Sequence, residues 1–402
     1  MTIGIIREGK NPPDKRVPLT PDQCKKLLSG NKDLRIKVQP SPIRCFPDKE
    51  YQRDGIEVIE DVSDCDILMG VKEVPVEMLI PGKTYLFFSH TIKKQPHNRK
   101  LLQAVLAKNI RLIDYETLTY PEGNRVIGFG HYAGLVGAYN GLLAYGLRTG
   151  RFALKPAHLC HDLAEMRHQM QENVVWDKER MVVTGGGRVA SGANKIMMLA
   201  GADKVSVSYF LSKEFDGPVY CNPDVEDYYT RNGRPMASRR EFYADSTSFQ
   251  SSFSPFLKGT DILFTCHFWD GISEPFFTKE MVNSPDFGPK VIADITCDID
   301  GSIPTTTRAT TIEDPLFGYH RATGKECGPL DPDGITVMAV DNLPCELPRD
   351  ASIGFGEMLM RDVIPLLLYG DQQEILRRAT ICEAGHLNER FAYLEGYVNE
   401  SV

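Results

Sequence analysis

The sequence predicts an α/β fold divided into two domains. Three observations carry that reading. Short apolar, β-branched runs alternate with helix-like segments along most of the chain, the pattern of strand–helix repeats. At 402 residues the chain exceeds what one hydrophobic core usually supports, and 42% hydrophobic residues suffice to fill two cores. The stretch 182–193, VVTGGGRVASGA, passes from a β-branched segment through three glycines straight into a helix-like pattern.

Taken in order, strands are expected at Thr2–Arg7, Ile36–Gln39, Ile67–Val71, Thr84–Ser89 and Arg111–Asp114, with helices near Pro21–Leu28 and Asn98–Lys108. These build a first α/β domain over residues 1–132. Ala133–Leu147, helix-like and spaced with glycines, reads as the connection between domains, and His161–Gln171 as an amphipathic helix. Met181–Thr184 is the strand that feeds the glycines. Gly185 permits a tight turn, Gly187 lets the backbone approach a pyrophosphate, and Ala190 takes the small-residue place where helix packs on strand. A helix beginning near Val189 points its N–H groups at that phosphate, so Arg188 and Val189 join the expected dinucleotide site.

Val205–Phe210, Ile262–Cys266, Val291–Ile295 and Val337–Val340 read as buried parallel strands. With Met181–Thr184 they complete a doubly wound, dinucleotide-binding parallel sheet over 133–344. The last sixty residues read as helical and return to the first domain, which therefore includes 345–402. The expected whole is two Rossmann-like domains with a cleft between them. Lys213–Leu257 is polar and longer than an ordinary connection. It reads either as filler with one helix around Asp224–Tyr229 or as a lid or subunit contact.

Composition narrows the function. The net charge of −8 has no basic block to offset it, which argues against nucleic acid as a partner. No apolar run reaches membrane-span length, and MTIGIIREGK begins as a strand, so no membrane association and a cytoplasmic location are expected. Ten cysteines without a C-x-x-C pair indicate reduced, buried thiols. His158, His161 and His168 lack completing ligands and read as a solvated helical face, so no metal is expected. No G-x-S-x-G elbow supports a serine hydrolase.

Polar groups that end apolar runs are the candidates for chemistry. GVKEVP places Lys72 and Glu73 past one strand, and FFSHTIK places His90 past the next, where side chains project into a crevice. LIDYETL and EGNRVIGFGHYAG add Glu116 and Arg125, and REGKNPPDKRVPLTP adds Arg16 in a proline-framed loop. Taken singly, each reads equally as a surface or satisfied half-buried residue. Together, Arg16 and Arg125 could clamp carboxylates through paired N–H donors.

An NAD site usually closes its second strand with Asp or Glu, yet KVSVSYFLSKEF carries Ser208, Tyr209 and Phe210 there. The missing acid removes a charge that would repel a 2′-phosphate, and Ser208, Ser212, Lys213 or Arg188 could contact one. NADP is thus favoured over NAD, the alternative being NAD held through backbone and through Ser or Tyr hydroxyls such as Tyr209. Asp294, Asp298, Asp341 and Asn342 follow strands at the expected mouth of the cofactor cleft.

DKRVPLTP, GVKE, FFSHTIK, RLIDYETL, GNRVIGFGHYAG, ADITCDIDGSI, TTIEDPLF and AVDNLPCELPRDAS resemble, in order and spacing, the saccharopine dehydrogenases that form L-lysine. The likeness is greatest to the lysine-ketoglutarate reductase type, within the wider alanine dehydrogenase-like superfamily. The resemblance implies that the ε-amine of lysine condenses with 2-oxoglutarate and that hydride from a nicotinamide reduces the imine to saccharopine. It implies Lys72 and His90 as the acid–base pair, with Arg16, Glu73, Glu116 and Arg125 around the substrate, Glu73 being the least secure because that type can carry a basic residue there. It also places Asp341, Asn342 and Leu343 beside the nicotinamide. Two other readings stay open: an alanine dehydrogenase-like amino-acid dehydrogenase, and a catalytically silent NADP-binding sensor.

Overall fold

The computed structural model describes residues 1–400. The chain forms two compact units, one of Met1–Phe129 with the segment from Pro348 onward, the other of Gly130–Leu347.

The first unit holds six parallel strands, β1 (Thr2–Ile5), β2 (Arg35–Val38), β3 (Glu57–Val58), β4 (Ile67–Met69), β5 (Thr84–Phe87) and β6 (Arg111–Asp114). They lie in the order β6-β5-β4-β1-β2-β3. Alternate residues go to opposite faces, and both faces are buried. Ile3, Ile5, Ile67, Met69, Leu86 and Ile113 join one core layer, while Leu68, Tyr85, Phe87 and Leu112 join the other. That double burial is why these strands read as continuous apolar runs. The helix Pro21–Gly30 starts on a capping box in which Thr20 and Gln23 satisfy each other's backbone N–H, a device worth about 1 kcal/mol.

The C-terminal segment departs from the helical reading. Thr380–Glu383 and His386–Leu387 are antiparallel strands that extend the sheet beyond β6. Ala384 and Gly385 turn between them, both at positive φ, as a two-residue hairpin requires. Here β-branched Thr380 and Ile381 cover an otherwise open edge, and that pairing overrides the helical character of the flanking text.

The second unit contains β7 (Arg180–Val183), β8 (Asp203–Lys204), β9 (Val219–Cys221), β10 (Tyr229–Arg231), β11 (Arg234–Pro235), β12 (Gln250–Ser251), β13 (Ile262–Thr265), β14 (Val291–Asp294), β15 (Leu316–His320), β16 (Glu326–Cys327) and β17 (Gly334–Met338). Its main sheet runs β16-β15-β17-β14-β13-β7-β9-β8 and is parallel except at β15 and β16. Met181, Val183, Phe264 and Ala293 face one core, and Val182, Leu263 and Ile292 face the other.

Two expectations are corrected here. Val205–Phe210 is not a strand: β8 ends at Lys204, and a helix over Val207–Ser212 follows, with Ser206 at its N-cap accepting from the Tyr209 N–H. Ser208 and Tyr209 therefore stand on a helix, not at a strand end. The strand beside β7 is instead β9, from inside the polar segment 213–257, where β10, β11 and β12 also form a small antiparallel sheet.

The segment read as a connection between domains is also corrected. Gly130–Thr149 is one helix of the second unit. It packs on the helix Arg188–Leu199 so closely that a Cβ on Gly134 would collide with the Val189 carbonyl, and one on Gly192 with the His131 carbonyl. Among the described residues, no helix is long and apolar enough to cross a membrane, and no group of three or more His, Cys, Asp or Glu side chains is placed to hold a metal ion.

Candidate active site

In the first unit, polar groups follow the C-terminal ends of four adjacent parallel strands, β6, β5, β4 and β1. Glu8, after β1, accepts hydrogen bonds from the Val71 and Lys72 N–H groups at 2.6 and 2.9 Å. It thereby fixes the turn that carries Lys72 after β4. Burial and the Asp14 charge push the Glu8 carboxyl up to about 8. Burial, then the charges of Arg16 and Lys10, lower the Lys72 ammonium below its ordinary range.

His90, after β5, is held in a left-handed conformation with φ 52°. Its Nδ1 is bonded to Glu73 Oε1, and its ring stacks on Phe88. Glu73 Oε2 lies 3.2 Å from Lys10 Nζ. Burial alone would raise the Glu73 carboxyl, but the His90 hydrogen bond and charge prevail and hold it at about 2. Asp114, at the end of β6, is buried and accepts from the Ser89 N–H at 3.1 Å and the Glu116 N–H at 2.7 Å. It locks the His90 and Glu116 turns together. Burial lifts its carboxyl to about 6.

Glu116 is nearly enclosed, its side chain 9% exposed. Its Oε1 receives Arg125 Nη2 at 2.9 Å and faces Lys93 Nζ at 3.6 Å. Its Oε2 is buried with no hydrogen-bond partner, an acceptor position that a donor would relieve. Arg125 is exposed. Arg16 differs from the expected open clamp: it is buried, its Nε and Nη2 donate to Asp14 at 3.0 and 2.6 Å, and its guanidinium lies 4.2 Å from the Phe129 ring centre. Asp14, two residues away, has taken the paired donors that a ligand carboxylate would need.

The second unit offers a different kind of site. Gly185 follows β7 at φ 89°, and a Cβ there would press on the His267 backbone, so this turn needs glycine. Its N–H donates to Pro223, and Asn222, just past β9, donates from Nδ2 to the carbonyls of Val183 and Gly185. His267 backs the turn, between Thr184 Oγ1 at 2.9 Å and Ser302 Oγ at 2.7 Å. Burial pushes its imidazole down to about 3, so it stays neutral. Gly187 caps the helix Arg188–Leu199 without a side chain, and nothing lies within 4 Å of where its Cβ would be. That opening, at a helix N-terminus, suits a pyrophosphate. Arg188 and Val189 line the same cavity of about 360 Å³, while Ala190 is buried behind it.

The remaining expected cofactor residues fall in different settings. Asp294 is wholly buried, with Thr265, Thr296 and Thr306 hydroxyls donating to its carboxylate at 2.5–2.6 Å. It fastens strand ends and presents no open oxygen to a ligand. Asp341 is exposed, Asn342 is partly so, and Leu343 is buried. Ser208 and Tyr209 do not line the glycine-turn cavity, whereas Asp224, Arg239 and Tyr243 do. Sequence reading missed these three, because the relevant signal was the short VYC strand ahead of Asn222.

Comparisons with known proteins agree with this architecture. The family described as "Alanine dehydrogenase/PNT, N-terminal domain" matches residues 4–136. Alpha-aminoadipic semialdehyde synthase of Arabidopsis thaliana is 31% identical over 98% of this chain and 41% of its own length. The mitochondrial protein of that name from Rattus norvegicus is 29% identical over 98% and 47%. This chain thus spans less than half the length of those relatives. Saccharopine dehydrogenase (NAD(+), L-lysine-forming) of Candida glabrata is 27% identical over 91% of each chain. Among solved structures, an L-alanine dehydrogenase superposes with a TM-score of 0.65 at 16% identity, covering 98% of both chains. A transhydrogenase from Sinorhizobium meliloti gives 0.60 at 13%, covering 96% of this chain and 100% of that one. Residues 4–136 thus resemble the alanine dehydrogenase/PNT N-terminal domain, and the fold of the chain resembles that of the L-alanine dehydrogenase. Its sequence relatives bear the names saccharopine dehydrogenase and alpha-aminoadipic semialdehyde synthase.

Proposed function

We propose that this chain is an NAD(P)-dependent oxidoreductase that interconverts L-lysine plus 2-oxoglutarate with saccharopine. The observation that carries the reading is the gathering of Lys72, the Glu73–His90 pair and Glu116 past three adjacent parallel strands, with Glu116 Oε2 buried and unbonded. The names of the sequence relatives support the same reading.

When bound, the dinucleotide supplies or removes the hydride. The residues manage protons and charge. Lys72, with its pKa lowered by burial and by Arg16 and Lys10, gives and takes a proton on the substrate side. His90, anchored at Nδ1 by Glu73, keeps Nε2 for a second proton exchange. Glu116 Oε2 accepts from an ammonium of lysine. Arg125, exposed and bonded to Glu116, draws a carboxylate of 2-oxoglutarate by its charge. Arg16 acts through charge on Lys72. In this reading the cofactor is NADP(H) in preference to NAD(H), because Asp224, the carboxylate past β9 beside the glycine turn, is faced by Arg239 Nη1 at 3.4 Å.

The test is oxidation of NADPH and NADH with 2-oxoglutarate plus lysine, ornithine or ammonia, and with pyruvate plus ammonia. The expected outcome is turnover with 2-oxoglutarate and lysine above every other pair. Pyruvate with ammonia reduced at least as efficiently would overturn the assignment in favour of an alanine dehydrogenase.

A further inference from the structure

The segment 213–257 brings three side chains to the glycine turn. Asp224 follows β9, the strand paired directly with β7, so a carboxylate does stand near the place where a dinucleotide-binding sheet reads the adenosine ribose. It lies against the turn closely enough that a Cβ on Gly186 would strike it. Its Oδ1 caps Val225 at 2.9 Å. Its Oδ2 meets Arg239 Nη1 at 3.4 Å, beyond the usual length of a charge-assisted bond.

Arg239 is loosely held. Its side chain is 56% exposed, and its backbone N–H is anchored by Glu226 at 2.9 Å. Tyr243, four residues on and 50% exposed, shares the same face of the helix Arg239–Ala244 and lines the same cavity. The cavity wall thus carries the Arg188 and Arg239 guanidiniums with the Asp224 carboxylate, beside a helix N-terminus whose N-cap, Gly187, has no side chain. A phosphate dianion competes better for a loosely paired, exposed guanidinium than does one carboxylate already capping a helix.

We propose that Arg239 is the specificity determinant for the cofactor: it leaves Asp224 to bind the 2′-phosphate of NADP(H), while Tyr243 offers its ring to the adenine. This rests on the dinucleotide reading of the glycine turn and gives the inserted segment a role as the adenosine-side wall.

Titration of the whole chain with NADPH, NADH, 2′,5′-ADP and 5′-ADP, without substrates, tests it. Arg239→Ala weakens NADPH and 2′,5′-ADP by roughly 30-fold, the worth of charge-assisted bonds to phosphate, and leaves NADH and 5′-ADP within about 2-fold. Arg239→Lys restores part of the NADPH loss. Asp224→Asn, which keeps the helix cap, tightens NADPH about 3-fold. Tyr243→Ala weakens all four ligands alike. Equal weakening of all ligands by Arg239→Ala, or no change in any, overturns the proposal, with thermal melting confirming that the variant is folded. Phosphate-selective loss in a protein inactive on lysine and 2-oxoglutarate sustains this inference and removes the saccharopine reading. Saccharopine turnover without that selectivity does the reverse.

Discussion

The two eight-stranded sheets put their strand ends to opposite uses. In the first unit the turns after β1, β4, β5 and β6 are crowded with charge: Glu8, Lys72, Glu73, His90 and Glu116 all sit within a turn of a strand end. In the second unit the turn after β7 is stripped of side chains, and Gly187 leaves open space above itself. One sheet delivers side chains and the other delivers backbone. Proton exchange needs groups with adjustable pKa, whereas a pyrophosphate needs N–H donors and room, and each sheet end is shaped for one of these.

The largest effect should come from filling the open turn. Gly187→Val places a branched side chain where the pyrophosphate belongs and should abolish binding of both dinucleotides, read by NADPH fluorescence, while the melting temperature stays near that of the parent. Retained binding would break the contrast between the sheets. Next, Lys72→Met and His90→Gln should each lower kcat by roughly 100-fold or more with dinucleotide affinity unchanged. Near-parental turnover in both variants would remove the proton-exchange role from the first sheet.

Substrate effects should be smaller and opposite in kind. Arg125→Ala should raise KM for 2-oxoglutarate by about 10-fold with less change for lysine, and Glu116→Gln should do the reverse. Equal changes for both substrates in both variants would show that the two residues act only as an ion pair. The smallest effect concerns pH. Glu8 has a folded pKa of about 8 against an ordinary 4.5, so the folded state holds this proton more tightly than the unfolded state does. Its contribution is most favourable below pH 4.5 and is lost as pH rises through 8. Stability of Glu8→Gln should therefore decline less over that interval, as denaturant unfolding at several pH values would show. Parallel curves would mean that Glu8 titrates normally.

Which parts were legible from the sequence follows from how local their signals are. A β-branched run ended by a polar residue announces both a strand and the group beyond it, so the surroundings of Lys72, His90 and Glu116 could be read directly. VYC is three residues long, and its place between β7 and β8 is a matter of topology; no local pattern points to it, and Asp224, Arg239 and Tyr243 were hidden with it. Asp294 looked like a residue at a cleft mouth because two of its three hydroxyl partners, Thr265 and Thr306, come from other segments. The helical reading of 380–387 failed where edge pairing with β6 outweighed local preference. Arg16 is the opposite case: its partner Asp14 is two residues away, and the pairing could have been weighed from the text alone.

The interlock of Gly134 and Gly192 has a consequence for how variants of this protein would be interpreted. A single methyl group at either glycine acts as a wedge between two helices, and the displaced helix also carries Gly137 and Gly141, which rest on Ile295, Phe264 and Ala293. A survey scored only by lost activity would flag these four glycines as strongly as Lys72, though none bears a reactive group. The amount of folded protein, measured beside the rate, tells a broken scaffold from a missing proton.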